Sequence, residues 1–156
     1  FVYNYIEPED GFDSWDMEEL TKDGVGSDSL RYSFAKSCSL SEQKTVLKKG
    51  LLEGGRRLVY LTGNLKKLFL KEGLRFKGFP NAEDEVYLKG MGFFKYSLVL
   101  GNLEMKLREV SRDVNIFRDK GTFSSKKARL FDKYLTLVRE LTPFCPFICE
   151  KVIREL

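Results

Sequence analysis

The sequence predicts an all-α fold, a helical bundle of about five helices behind an irregular acidic N-terminal leader. Three observations carry that prediction. Apolar residues recur at spacings of three and four along most of the chain, which is the period of a helix face. Glycine and proline fall between those runs, at Gly24 and Gly26, across 73–81, at Gly90 and Gly92, at Gly121 and at Pro143. Strand signals are weak, because the Val and Ile residues sit inside 3.6-residue patterns. At 156 residues the chain is one domain by length and able to bury a sizeable core.

Taken in order, residues 1–12 hold aromatics without a sustained period, and Pro8 with Gly11 marks irregular structure. Asp13 or Ser14 caps a short helix through Leu20, with Asp16, Glu18 and Glu19 at its positive end. After Gly26 a helix opens near Ser27 and Asp28 and turns Leu30, Phe34 and Cys38 inward. Ser39 and Glu42 have capping-box spacing, so a long helix is expected to open there. At about 100° per residue, its Leu47, Leu51, Leu58, Leu65 and Phe69 form a buried stripe, and Lys49, Arg56, Lys67 and Lys71 gather opposite. Gly54 and Gly55 each cost roughly 1 kcal/mol inside a helix, so they mark close packing or a bend.

Residues 73–81 form a loop with exposed Arg75 and Lys77, and 82–89 a short helix. From 93 to 118 the apolar residues fall on two stripes, Phe94, Leu98, Met105 and Ile116 on one and Leu103, Leu107, Val110, Val114 and Phe117 on the other. A helix apolar on both sides belongs at the centre of a bundle. Gly121 turns the chain into a helix whose Leu130, Tyr134, Leu137, Val138 and Leu141 share one face. Thr142 and Pro143 stop it, and Pro146 has the fixed φ that suits the first turn of a last helix. Phe144 and Phe147 bracket this corner, an aromatic pair expected to pin the two helices.

Composition narrows the chemistry. Three cysteines and no histidine leave no zinc ligand set and no nucleophile with a base beside it, so the sequence offers neither a catalytic centre nor a metal site, and no apolar run approaches the roughly 20 residues that span a bilayer. Cys145 and Cys149 read as small buried residues, and free thiols point to a reducing, cytoplasmic compartment. The net charge of +4 conceals an asymmetry. Residues 1–28 hold nine acids against Lys22 alone, a balance of −8, and the rest carries 26 Lys and Arg against 14 Asp and Glu, or +12. A basic body favours a polyanion partner.

Two runs resemble a known family. Residues 141–150, Leu-Thr-Pro-Phe-Cys-Pro-Phe-Ile-Cys-Glu, resemble the Leu-x-Pro-Phe-x-Pro-His-x-x-Glu signature that closes the anticodon-binding domain of class I aminoacyl-tRNA synthetases. Phe147 stands where the family usually has His, and Ile153 where it usually has Trp. Residues 26–32, Gly-Ser-Asp-Ser-Leu-Arg-Tyr, resemble the Gly-Ala-Asp-Ala-Leu-Arg-Tyr element that leads from the catalytic domain into the helical bundle. The two cysteines and the Leu-Glu-Gly-Gly-Arg-Arg run at 52–57 look most like archaeal or eukaryotic leucyl enzymes, whereas Gly63-Asn64-Leu65 is closer to methionyl ones. Isoleucyl and valyl enzymes stay as further alternatives, and from another class a non-catalytic helical protein-interaction module.

The resemblance implies that residues 1–26 are an acidic leader and connection from a missing catalytic domain, and 27–156 a helical tRNA-binding domain. Asp28 would cap its own helix and Arg31 would tie the junction. ATP would be used by the parent enzyme and by nothing in this stretch, since neither a Lys-Met-Ser-Lys-Ser loop nor a His-x-Gly-His element occurs. The start at Phe1 and the stop at Leu156 inside a helical pattern read as a piece of a longer protein. Its partners would be tRNA and the catalytic domain of the same parent chain, with no membrane and no metal.

A candidate site is therefore a surface. Phosphate contacts by Lys and Arg supply most sequence-independent affinity for nucleic acid, and unpaired RNA bases are read by stacking on aromatics. The expected RNA-binding residues are Lys49, Arg56, Lys67 and Lys71 on the long helix, Arg75 and Lys77 in the loop, and Lys126, Lys127 and Arg129 with Ser124 and Ser125. Cations in a first helical turn oppose the helix dipole unless an anion sits among them. Phe76 and Phe79 are the expected stacking pair.

Overall fold

The computed structural model describes residues 5–8, 26–37, 44–47, 49–81 and 96–156. They form β1 (Tyr5–Pro8), α1 (Ser27–Ser37), β2 (Lys44–Leu47), α2 (Lys49–Lys71), α3 (Tyr96–Asp119), α4 (Phe123–Leu141) and α5 (Pro146–Glu155). The architecture is an all-α bundle carrying one short parallel ladder, in which Tyr5 lies opposite Lys44 and Pro8 opposite Leu47. The helices expected at 13–20 and 82–89, and the inward Cys38 and Phe94, lie outside the described residues.

The ladder corrects the irregular reading of the leader at residues 5–8, which form a strand, and it corrects the start of the long helix. α2 opens at Lys49, not at Ser39, and Leu47 belongs to a strand rather than to its buried stripe. β-branched Thr45 and Val46 face Ile6 and Glu7, and such residues suit a pleated pair better than a helix. From Leu52 onward the periodicity holds: Leu58, Leu65 and Phe69 are buried, and Arg56, Lys67 and Lys71 are exposed.

The core sits between α2, α3 and α4, closed at one end by α1 and α5. Phe69 meets the rings of Phe131 and Tyr134 at 5.3 Å each, and the Tyr134 hydroxyl donates to the Thr62 carbonyl at 2.8 Å. Gly55 marks close packing: a Cβ there would lie 2.6 Å from the Ser29 carbonyl oxygen and 3.1 Å from the Tyr32 ring. Gly73 and Gly121 end α2 and α3 with φ of 76° and 68°, the left-handed geometry that closes a helix C-terminus at little cost for glycine.

Two packing expectations are corrected. On α3 only one apolar stripe is inside: Leu103, Leu107, Val110 and Val114 are buried, but Leu98, Met105 and Ile116 are exposed, at 57%, 50% and 37%. α1, α2 and α4 share a core with the stripe of Leu103, Leu107, Val110 and Val114, so α3 lies at the edge of the described bundle rather than at its centre. At the α4–α5 corner Phe144 is buried and Phe147 is 57% exposed, so one ring, not two, pins the turn. α5 is held to α2 from its other end, where buried Lys66 forms an ion pair with Glu155. Among the described residues, no helix is long and apolar enough to cross a membrane.

Candidate nucleic-acid interface

The two runs that resemble class I synthetases meet in space. Pro146 fills the first position of α5, and Cys145 before it provides no side-chain cap, which leaves the next two backbone N–H groups needing an acceptor. Asp28 of α1 supplies it: Ile148 N–H donates to Oδ2 at 2.6 Å and Phe147 N–H to Oδ1 at 3.3 Å. Asp28 therefore caps α5, whereas its own helix was the expected beneficiary; a buried carboxylate also suits the positive end of α5. Arg31, one turn on, lies over Phe147 with its guanidinium carbon 5.7 Å from the ring centroid, a contact between α1 and α5.

The expected cations divide by what their charges face. Arg56, Lys67 and Lys71 run along the exposed side of α2; Lys49 opens that helix, and its side chain lies outside the description. Arg75 is exposed but donates to the carbonyls of Leu70 and Leu74 at 3.2 and 3.1 Å, satisfying the end of α2, and Lys77 is exposed. On α4, Ser124, Ser125, Lys126 and Arg129 are exposed. Lys127 is half-buried instead, its Nζ donating to the Glu72 carbonyl at 3.1 Å and lying 4.0 Å from the Glu72 carboxylate, which also takes Arg118 at 3.1 Å. Glu72 thus joins the end of the α2 line to the first turns of α4. That helix opens with no acidic residue in its first turn and no side-chain cap.

Beside this junction a groove of about 560 Å³ runs between α3, α4 and Pro80–Asn81. Lys126, Arg129 and Lys133 line it against Asp113 and Asp132, with Phe117 and Leu130 on its floor. Lys133 had no place among the expected residues, because periodicity alone sets it on a helix flank.

The expected stacking pair is not available. Phe76 and Phe79 are half-buried against the core and meet edge to face at 5.1 Å, and Arg139 lies 6.0 Å over Phe79. Among the described residues, the large exposed rings are Tyr60, 71% exposed, and Phe147. Both line a second groove of about 470 Å³ with Arg56 and Lys151. The signal for Tyr60 was present, since it follows Arg56 by one turn on the cationic face; the signal for Phe147 was its replacement of a polar residue in the family pattern.

The titratable groups buried here serve structure. Burial, with Asp28 and Cys149 nearby, pushes the Cys145 thiol well up, and burial raises Cys149 to about 12, so neither is a thiolate at neutral pH. Burial works to raise Glu104, but hydrogen bonds from Tyr32, Arg108 and Lys36 outweigh it and hold the carboxyl below its ordinary 4.5. Among the described residues, no three His, Cys, Asp or Glu side chains gather as a metal site. Compared with protein-family models, curated proteins and solved structures, this chain matches none.

Proposed function

We propose that this chain is the tRNA-binding, anticodon-binding-type helical domain of a class I aminoacyl-tRNA synthetase. Leucine is the leading amino acid, and isoleucine, valine or methionine the alternatives. The observation that carries the reading is the joint at Asp28, where the two motif-bearing runs, far apart in sequence, complete one another's hydrogen bonds. Exposed cations on α2 and α4, converging beside Glu72, supply phosphate contacts to the tRNA backbone. In this reading a catalytic domain of the same parent chain, in the cytoplasm, uses ATP to activate the amino acid and esterifies it to the tRNA.

A salt titration of tRNA binding tests it. Each phosphate contact contributes about 0.7–0.9 to the slope of log affinity against log salt, so changing Lys67, Lys71, Lys126 and Arg129 to Glu should flatten that slope by about 2–4 and weaken binding at low salt. Absence of tRNA binding by the unaltered chain at low salt rejects the proposal. A second reading, a helical protein-interaction module, is favoured by the exposed stripe of Leu98, Met105 and Ile116 on α3. It predicts that the unaltered chain does not bind tRNA at low salt.

A further inference from the structure

We propose that the groove between the start of α1, the middle of α2 and the first turn of α5 is a stacking site for an unpaired RNA base, with Tyr60 and Phe147 as its two platforms. The inference rests on the tRNA-binding reading above and goes beyond it, because phosphate contacts on α2 and α4 need no base at all. α2 and α5 approach closely enough here that a Cβ on Gly63 would lie 3.9 Å from the Ile148 side chain, which brings the turn holding Tyr60 alongside the turn holding Phe147. Both rings are more than half open to solvent, an arrangement with an apolar cost that a planar partner removes.

The charges around the rings select that partner. Arg31 lies over Phe147, Arg56 is one turn from Tyr60, and Lys151 lines the groove from α5 with its Nζ 3.9 Å from the Glu155 carboxylate. The acid in the groove wall, Asp28, is 5% exposed and has both oxygens engaged by α5 backbone. Exposed aromatic rings bordered by cations, with the neighbouring acid already hydrogen-bonded to a helix N-terminus, match a base and its flanking phosphates. A protein partner of acidic surface matches the cations, but it does not call for two exposed rings.

The test uses the whole chain and two probes, a short single-stranded oligouridylate RNA and a blunt RNA duplex. Tyr60→Ala and Phe147→Ala should each weaken single-strand binding roughly tenfold and leave duplex binding and the salt slope unchanged. Tyr60→Phe and Phe147→Trp should retain single-strand affinity, since each keeps a π-face. Equal losses on both probes, no loss on either, or the same ring dependence for polyglutamate overturn the stacking site while the tRNA reading stands. Failure of the unaltered chain to bind either RNA overturns both.

Discussion

Asp28 shows how much one side chain carries. Its carboxylate is buried and accepts the two N–H groups that α5 cannot satisfy from its own cap position. Asp28→Ala should therefore cost about 2 kcal/mol in urea unfolding, and Asp28→Asn, which keeps one acceptor oxygen, about half of that. If both variants unfold with the wild-type midpoint, α5 is not capped from α1. Cys145 and Cys149 give a second check, because both are buried and burial keeps their thiols protonated. At pH 8 a thiol reagent should label these two only after denaturant is added; prompt labelling of either in the native protein contradicts its placement. That Asp28 is a cap was implied only by the resemblance of residues 26–32 to the synthetase element. Which helix it caps was not, because the acceptor is shared across a gap in sequence that no local spacing encodes.

Elements read well where one period runs long and poorly where two readings share a few residues. α2, α4 and α5 follow the apolar spacing, the Thr142–Pro143 stop and the Pro146 start. The failures have physical causes. Four residues at 44–47 fit a strand as well as a helix, and their pairing with 5–8 is a long-range fact. The α3 stripe of Leu98, Met105 and Ile116 satisfies the arithmetic for a central helix, yet apolar character alone does not say whether a neighbour covers it. The glycine pair of α2 tests the packing at this scale. A Cβ on Gly54 would meet only the Tyr32 ring at 4.0 Å, so Gly54→Ala should stabilise by about 0.5–1 kcal/mol through helix propensity. Gly55→Ala gains the same propensity but drives its Cβ into Ser29 backbone, and it should destabilise by about 1–2 kcal/mol net. Thermal midpoints moving in opposite directions confirm that α1 packs on α2 at Gly55; two stabilised variants refute it.

At the scale of the molecule, the pH response should report how α1 is fastened to α3. Glu104 on α3 accepts from Tyr32 at 2.6 Å and from Lys36 at 3.2 Å, both on α1, and from Arg108 at 2.7 Å on its own helix. These bonds hold the carboxyl below its ordinary 4.5 against the opposing effect of burial, so the folded state binds the proton less readily than the unfolded chain does. The contribution is therefore complete above the ordinary carboxylate value and is lost as pH falls through the lowered folded value. Glu104→Gln removes the charge at every pH, so the variant should be less stable than wild type at neutral pH, and that difference should shrink as pH falls below the ordinary carboxylate value of 4.5. Urea midpoints of the two proteins at neutral and acid pH measure it. A gap that stays constant across that range means that Glu104 acts through shape alone, and the charged tie between α1 and α3 would have to be abandoned.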